Sequence, residues 1–387
     1  MSDPLLRFRP EFPILERTNY MISNSLGAMP RAVYDAMKGY ADTWATYGVR
    51  AWEERWWALA GQVGDEIGAL FHAPKGSVST HQNVTTCEAV IASCLDFSGP
   101  RNKVVYSDMN FPSVMYFWEA QRPLGARVHV VKTDGIHVDT ERLLEAIDEH
   151  TLIVPFSHVL FRSAYINDAT AIVEKAHRVG AYVMLDMFHS AGTMPVDVQK
   201  LNVDFATGGV LKWLGGGPGV GYLYVRPDLG RKLEPRLTGW FAHQHPFDFE
   251  IGPNRYTDPP YRFMNGTPHI PALEAARPGL AIIAEAGIAN IREKSKRQTA
   301  LLVKLADQHG WRVHTPRDPE KRGGTVSIDM PDSQEVSREL IKRDILVDFR
   351  PQAGVRFSPH FYTKDEEIES AISTVEEILK ERSVAAR

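Results

Sequence analysis

"AYVMLDMFHSAG" (181–192) is a run of apolar and β-prone residues that ends in a carboxylate, Asp186, and passes at once into small and polar residues. Such a run reads as a buried strand with the acid at its C-terminal end, which is where open α/β sheets hold their ligands. Taken alone, an aspartate at this position serves equally well as a helix N-cap. Outward from it, short β-rich runs recur at 103–108, 127–133, 151–160 and 220–225. Between several of them apolar residues return at helical spacing, as in "DTERLLEAIDEH" (139–150) and "DATAIVEKAHRVG" (168–180). The alternation predicts an α/β domain with a mainly parallel sheet flanked by helices.

After Gly266 the texture changes. Residues 271–310 read as long helices, followed by "GGTVSIDM", "SQEVSRELIKRD", "ILVDFR" and "GVRFSP" and a last helix in "KDEEIESAISTVEEILKER", the pattern of a smaller α+β unit. The chain therefore divides into an N-terminal arm (1–30), a large domain (31–275) and a small C-terminal domain (276–387) that share a cleft.

Composition narrows the function. The chain has 387 residues, 43% of them hydrophobic, and a formal net charge of −4 with the basic residues dispersed, so nothing marks it for nucleic acid or an anionic membrane. It has neither a signal-like N-terminus nor a long apolar run, which leads to the expectation of a cytoplasmic enzyme acting on small molecules. Cys87 and Cys94 do not make a disulfide framework. "HQH" (243–245) has the spacing of metal ligands, but no metal is expected there.

The second informative stretch is "GGVLKWLGGGPGVGYLYV" (208–225), where one lysine, Lys212, stands in an uncharged, glycine-rich run. Most lysines are solvated surface residues. Apolar surroundings lower the pKa of an amine and make it nucleophilic toward a carbonyl, and the glycines let backbone approach a bound group closely. A strand-end acid followed by a lysine in a Gly-rich loop suits pyridoxal phosphate, which needs an amine for its aldehyde and an acid for its ring nitrogen. Its phosphate then requires an anion site. "STHQNVTTCEAVIASCL" (79–95) supplies one, with Asn83, Thr85 and Thr86 ahead of an apolar-periodic helix.

With these residues in view, the chain resembles the class V branch of fold-type I pyridoxal phosphate enzymes, and within it the kynureninases. The matching stretches are "SNSLGAMP" (23–30), "NFPS" (110–113), Asp186 with His189, "LKWLGGGPG" (211–219), "GWFAH" (239–243), "NGTPHI" (265–270) and "FRPQAGVRFSPHFYT" (349–363). The resemblance implies that Lys212 carries the cofactor, Asp186 meets the pyridine nitrogen, Phe111 stacks on the ring, and His189 and Ser163 touch it. It implies that Thr85 and Thr86 bind the phosphate, and that Trp240 and Thr267 reach it from the other subunit of a homodimer. Arg356 is then expected to hold the substrate carboxylate, with Arg350, Asn24 and His243 on the substrate side.

The activity implied is hydrolytic cleavage of the Cβ–Cγ bond of kynurenine or a related β-acyl amino acid. Three positions depart from the pattern. Leu211 stands where the family has Tyr, Val114 where it has Asp, and Ser163-Ala164-Tyr165 where it has Thr-Gly-Gln. The first two touch acid/base equipment, so a class V aminotransferase, a carbon–sulfur lyase, or a binding protein that keeps the fold without catalysis are the alternatives. A desulfurase is disfavoured, because no cysteine follows Cys94.

Overall fold

The computed structural model describes residues 3–385. A two-residue strand, β1 (Asn19–Tyr20), is followed by the seven strands β2 (Val78–His81), β3 (Lys103–Ser107), β4 (Arg127–Val131), β5 (Thr151–Ser157), β6 (Tyr182–Asp186), β7 (Phe205–Gly209) and β8 (Gly221–Val225). These seven form one sheet in the order β2-β8-β7-β6-β5-β3-β4. β8 runs antiparallel to both of its neighbours, and the remaining pairs are parallel. β5, β7 and β8 are buried along their whole length, as expected where helices cover both faces of a sheet.

Register sets the site. Ser157 pairs with Asp186 and Asp186 with Thr207, so the C-terminal ends of β5, β6 and β7 finish side by side. The expected strands at 103–108, 127–133, 151–160, 181–187 and 220–225 are all present, trimmed by up to three residues at their ends. β7 was not legible as a strand, because "FATGG" has little β propensity. Its composition follows from its surroundings. A Cβ added to Gly208 would stand 2.2 Å from the Tyr222 hydroxyl, and one on Gly209 would stand 2.5 Å from the Phe188 ring.

The C-terminal unit holds β9 (Arg312–Val313), β10 (Val326–Asp329), β11 (Ile345–Leu346), β12 (Asp348–Arg350) and β13 (Gly354–Phe357). Four of these form a sheet in the order β12-β13-β10-β9, while β11 pairs in parallel with β1. The N-terminal segment is thereby fastened to this unit. Arg9 reinforces the link with bonds of 2.9 and 2.5 Å to the Glu367 carboxylate, and the Ser23 and Tyr362 hydroxyls are 2.7 Å apart. The position 275–276 lies inside the helix Ile270–Ala286, and the chain turns at Gly287 (φ 77°) before the helix Ile288–Gln308.

The helix Ile270–Ala286 supports the lysine-bearing loop by backbone contact. A Cβ on Gly279 would come within 2.5 Å of the carbonyl oxygens of Leu214 and Gly215. Neither partner has a side chain that can swing away, so the helix or the loop must shift. Gly279→Ala is expected to lower unfolding free energy by about 1–3 kcal/mol, the usual range for overpacking, as measured by urea denaturation.

Candidate active site

Lys212 lies just beyond β7, in a loop closed by its own backbone. Val210 N–H donates to Val220 C=O (3.1 Å), Gly216 N–H to Val210 C=O (2.8 Å) and Gly215 N–H to Lys212 C=O (3.1 Å). Gly215, Gly217 and Gly219 have φ of 62°, 69° and 105°, a left-handed region that glycine enters without strain. From above, Gly27 N–H donates to Leu211 C=O (2.8 Å), and a Cβ on Gly27 would stand 2.2 Å from the Lys212 carbonyl oxygen. This contact lays the 23–27 turn over the lysine and brings Asn24 beside it.

A cavity of about 470 Å³ opens there, lined by Asn24, Phe111, Asp186, His189, Lys212, Arg350 and Arg356 among others. The Lys212 Nζ is 2.9 Å from His189 Nε2, 4.8 Å from the Phe188 ring centroid and 5.4 Å from that of Phe111. Burial lowers the lysine pKa to about 8; Asp186 and Asp348 draw it up, while Arg356 and Arg350 push it down. Burial, Lys212 and Arg356 hold His189 well below the ordinary imidazole range. A neutral imidazole at Nε2 accepts an N–H from the amine.

The Asp186 carboxylate accepts bonds from Phe188 N–H (2.9 Å) and the Ser157 hydroxyl (3.3 Å). Burial raises its pKa, and these donors together with the Lys212 charge offset part of the rise. A cationic N–H in the cavity favours the ionised form further. Glu88 is fully buried and accepts from Trp118 Nε1 (2.8 Å); burial and the charge of Asp186 lift it well above the carboxylate range.

At the other end of the cavity stands the N-terminus of the helix Val84–Cys94. Asn83 caps it, its side-chain oxygen accepting from Thr86 N–H (3.0 Å) and the Thr86 hydroxyl (3.3 Å). The cap leaves the first-turn amides of Val84 and Thr85 for an incoming anion. Gly221 lets β8 pack closely against this N-cap, since a Cβ there would stand 2.9 Å from the Asn83 carbonyl carbon.

Arg356, on β13, faces Asp348, on β12, in antiparallel register. Its Nε donates to Asp348 Oδ1 (2.7 Å), one terminal nitrogen to Oδ2, and the other to the Phe161 carbonyl (2.6 Å). Arg350 reaches the same Asp348 oxygen at 3.0 Å. Sequence reasoning missed both Asp348 and Glu88. The signal for Asp348 was its alternation with Arg350 and Arg356 across two short strands joined by a tight turn.

The remaining expected residues do not line this chain's cavity. Ser163 is fully buried, its hydroxyl accepting from Tyr165 N–H (3.2 Å). The Thr85 side chain is exposed, and the Thr86 hydroxyl is engaged with Asn83. Trp240 packs on Trp57 (5.3 Å between centroids) and donates to the Pro246 carbonyl, His243 lies 3.5 Å from Glu250, and Thr267 is exposed. Val114 and Leu211, the two departures from the family pattern, do line the cavity.

Residues 19–370 match the family model described as Aminotransferase class-V. The chain belongs to the class V aminotransferase family. It is 31% identical to a kynureninase of Pseudomonas fluorescens, over 99% of this chain and 94% of that protein. It is 29% identical to a kynureninase of Bacillus thuringiensis, over 98% and 92%. In fold it is similar to a cysteine desulfurase of Thermococcus onnurineus, with TM-score 0.87, 23% identity and coverage of 98% and 99%. The chain is a kynureninase-like member of class V and a pyridoxal phosphate-dependent enzyme. Among the described residues no helix is long and apolar enough to cross a membrane.

The residues present fit that cofactor. The cavity joins an amine, a strand-end carboxylate, an aromatic ring and a helix N-terminus packed closely on β8 at Gly221. Both amide atoms of Asn24, which lines the cavity, are buried without a hydrogen-bond partner among the described residues. Covalent capture needs the neutral amine, so added pyridoxal phosphate should react with cofactor-stripped protein faster as pH rises through about 8 and level off above it. A lysine at the unperturbed 10.5 would keep gaining rate well beyond that point. Stopped-flow absorbance separates the two profiles.

Proposed function

We propose that this enzyme is a kynureninase-like hydrolase cleaving the Cβ–Cγ bond of kynurenine or a related β-acyl α-amino acid. The observation that carries the reading is the meeting of Lys212, Asp186 and Arg356 in one aromatic-walled cavity, in a chain 31% identical to a kynureninase. Bound pyridoxal phosphate supplies an electron sink for bonds at the substrate Cα. Lys212 would hold it covalently, with Asp186 as the partner of its ring nitrogen and Phe111 as the aromatic group against its ring. The first-turn amides of Val84 and Thr85 would hold its phosphate, and His189 would complete its surroundings.

Arg356 holds the substrate α-carboxylate with the N–H groups that Asp348 and Phe161 leave free. Asn24 and Arg350 serve the substrate side. The freed Lys212 takes the proton from the substrate Cα at Nζ. Because His189 accepts one N–H of this amine at 2.9 Å, the lone pair stays available for that proton. In the net reaction water supplies hydroxyl to the acyl carbon and a proton to Cβ as the Cβ–Cγ bond breaks, giving a carboxylic acid and alanine.

The active unit in this reading is a homodimer in which Trp240 and Thr267 serve the neighbouring subunit. Its support is the exposure of Trp240, Phe247, Phe249 and Ile251, and that of the helix Val33–Tyr47, which has no buried residue and exposes Tyr34 and Trp44.

A second reading, aminotransfer or carbon–sulfur lysis, is favoured by Leu211 and Val114 on the cavity wall, since those reactions ask for little proton transfer beyond Lys212. Incubation with kynurenine separates the readings: anthranilate with alanine supports the hydrolase, whereas a keto acid with the amine form of the cofactor supports aminotransfer. If neither forms at high enzyme concentration, kynurenine is not the substrate. Arg356→Gln is expected to raise KM about 10- to 100-fold, the scale of a lost charge-assisted pair, with cofactor binding retained.

A further inference from the structure

Arg356 offers five N–H donors. Three are engaged, by the two oxygens of Asp348 and the carbonyl of Phe161. The two that remain match the two oxygens of a single carboxylate. Arg350 also lines the cavity and shares the same aspartate, at 3.0 Å, while donating to the Phe349 carbonyl at 2.9 Å. Two guanidinium cations are therefore set against one buried carboxylate, leaving one positive charge at this end. Beyond Asp186, His189 and Lys212 the rest of the lining is uncharged, apolar at Phe111, Val114, Phe161 and Leu211 and polar at Asn24 and Ser113. Of the other charged pair, Asp186 would be engaged by the cofactor, and Lys212, freed when substrate binds, is the neutral base that takes the Cα proton.

We propose that Asp348 sets the charge of the substrate: by offsetting Arg350 it leaves Arg356 matched to one carboxylate, so the cavity accepts an α-amino acid with an uncharged side chain. Asp348 acts through the two arginines and is a positioning residue. The inference rests on the assignment of the α-carboxylate to Arg356 and not on the reaction that follows. An acidic side chain would bring a second anion into a low-dielectric site where no cation remains unmatched, and is rejected for that reason. Removing the aspartate charge frees a cation for it.

The test compares two ligands of nearly equal shape, L-4-nitrophenylalanine and L-4-carboxyphenylalanine, titrated into the holoenzyme and followed by the cofactor absorbance. This readout needs no turnover, so a failure to hydrolyse kynurenine leaves it intact, and its own failure leaves the hydrolase reading standing. The wild type is expected to prefer the nitro ligand. Asp348→Asn should move the ratio of dissociation constants about tenfold or more toward the carboxy ligand, the scale of one unit charge acting over several ångströms in a partly buried site. Arg350→Gln should move it the opposite way, which keeps the test usable if Asp348→Asn fails to fold. The double variant should return the ratio toward that of the wild type. A purely structural role would weaken both ligands alike and leave the ratio fixed. An unchanged ratio in either single variant, or a wild type that prefers the carboxy ligand, overturns the proposal.

Discussion

The structure depends on how tightly backbone closes around the loop that carries Lys212. Four segments far apart in sequence meet it at carbonyl groups. Gly27 approaches the carbonyl of Lys212, Gly192 that of Trp213 and Gly279 those of Leu214 and Gly215, at separations that leave no room for a Cβ. His360 Nε2 completes the ring, 2.9 Å from the Trp213 carbonyl. Because the three glycine contacts are backbone to backbone, they fix the origin of the lysine side chain without relying on any one rotamer. The loop also joins the units of the chain, since Gly27 lies in the N-terminal segment and His360 beyond the last strand of the small sheet.

Around that fixed point the electrostatics follow from burial. Desolvation penalises every charge in the cavity, and each ionisable group resolves the penalty differently. Lys212 moves toward neutrality near physiological pH, His189 and Glu88 shift in the direction of their neutral forms, and Asp186 keeps backbone and hydroxyl donors for its charged form. The arginine end takes the other route, in which Asp348 pairs with both guanidinium groups. The site thus presents a nucleophilic amine, one committed acid and one matched anion pocket.

Much of this was legible in the sequence, for physical reasons. Asp186 could be found because a run of apolar, β-prone residues marks a buried strand and its last residue marks the ligand-facing end. Lys212 could be found because a lone charge among glycines is costly without a purpose, and Arg356 because of its motif. What could not be read depended on contacts between distant residues. β7 has a poor strand sequence because Tyr222 and Phe188 occupy the space its side chains would need. Asp348 is one acid among many until the pairing of β12 with β13 sets it opposite Arg356. Trp240, Thr267 and His243 stand away from this chain's cavity, which no spacing in the sequence reveals.

The central claim is that Lys212 is the amine bonded to the cofactor. Borohydride reduction of the holoenzyme, followed by proteolysis and mass spectrometry, tests it most directly. The account predicts a single pyridoxyl-phosphate adduct on the peptide containing Lys212, in stoichiometric yield. An adduct on any other lysine, or a coloured holoenzyme that yields none, contradicts it.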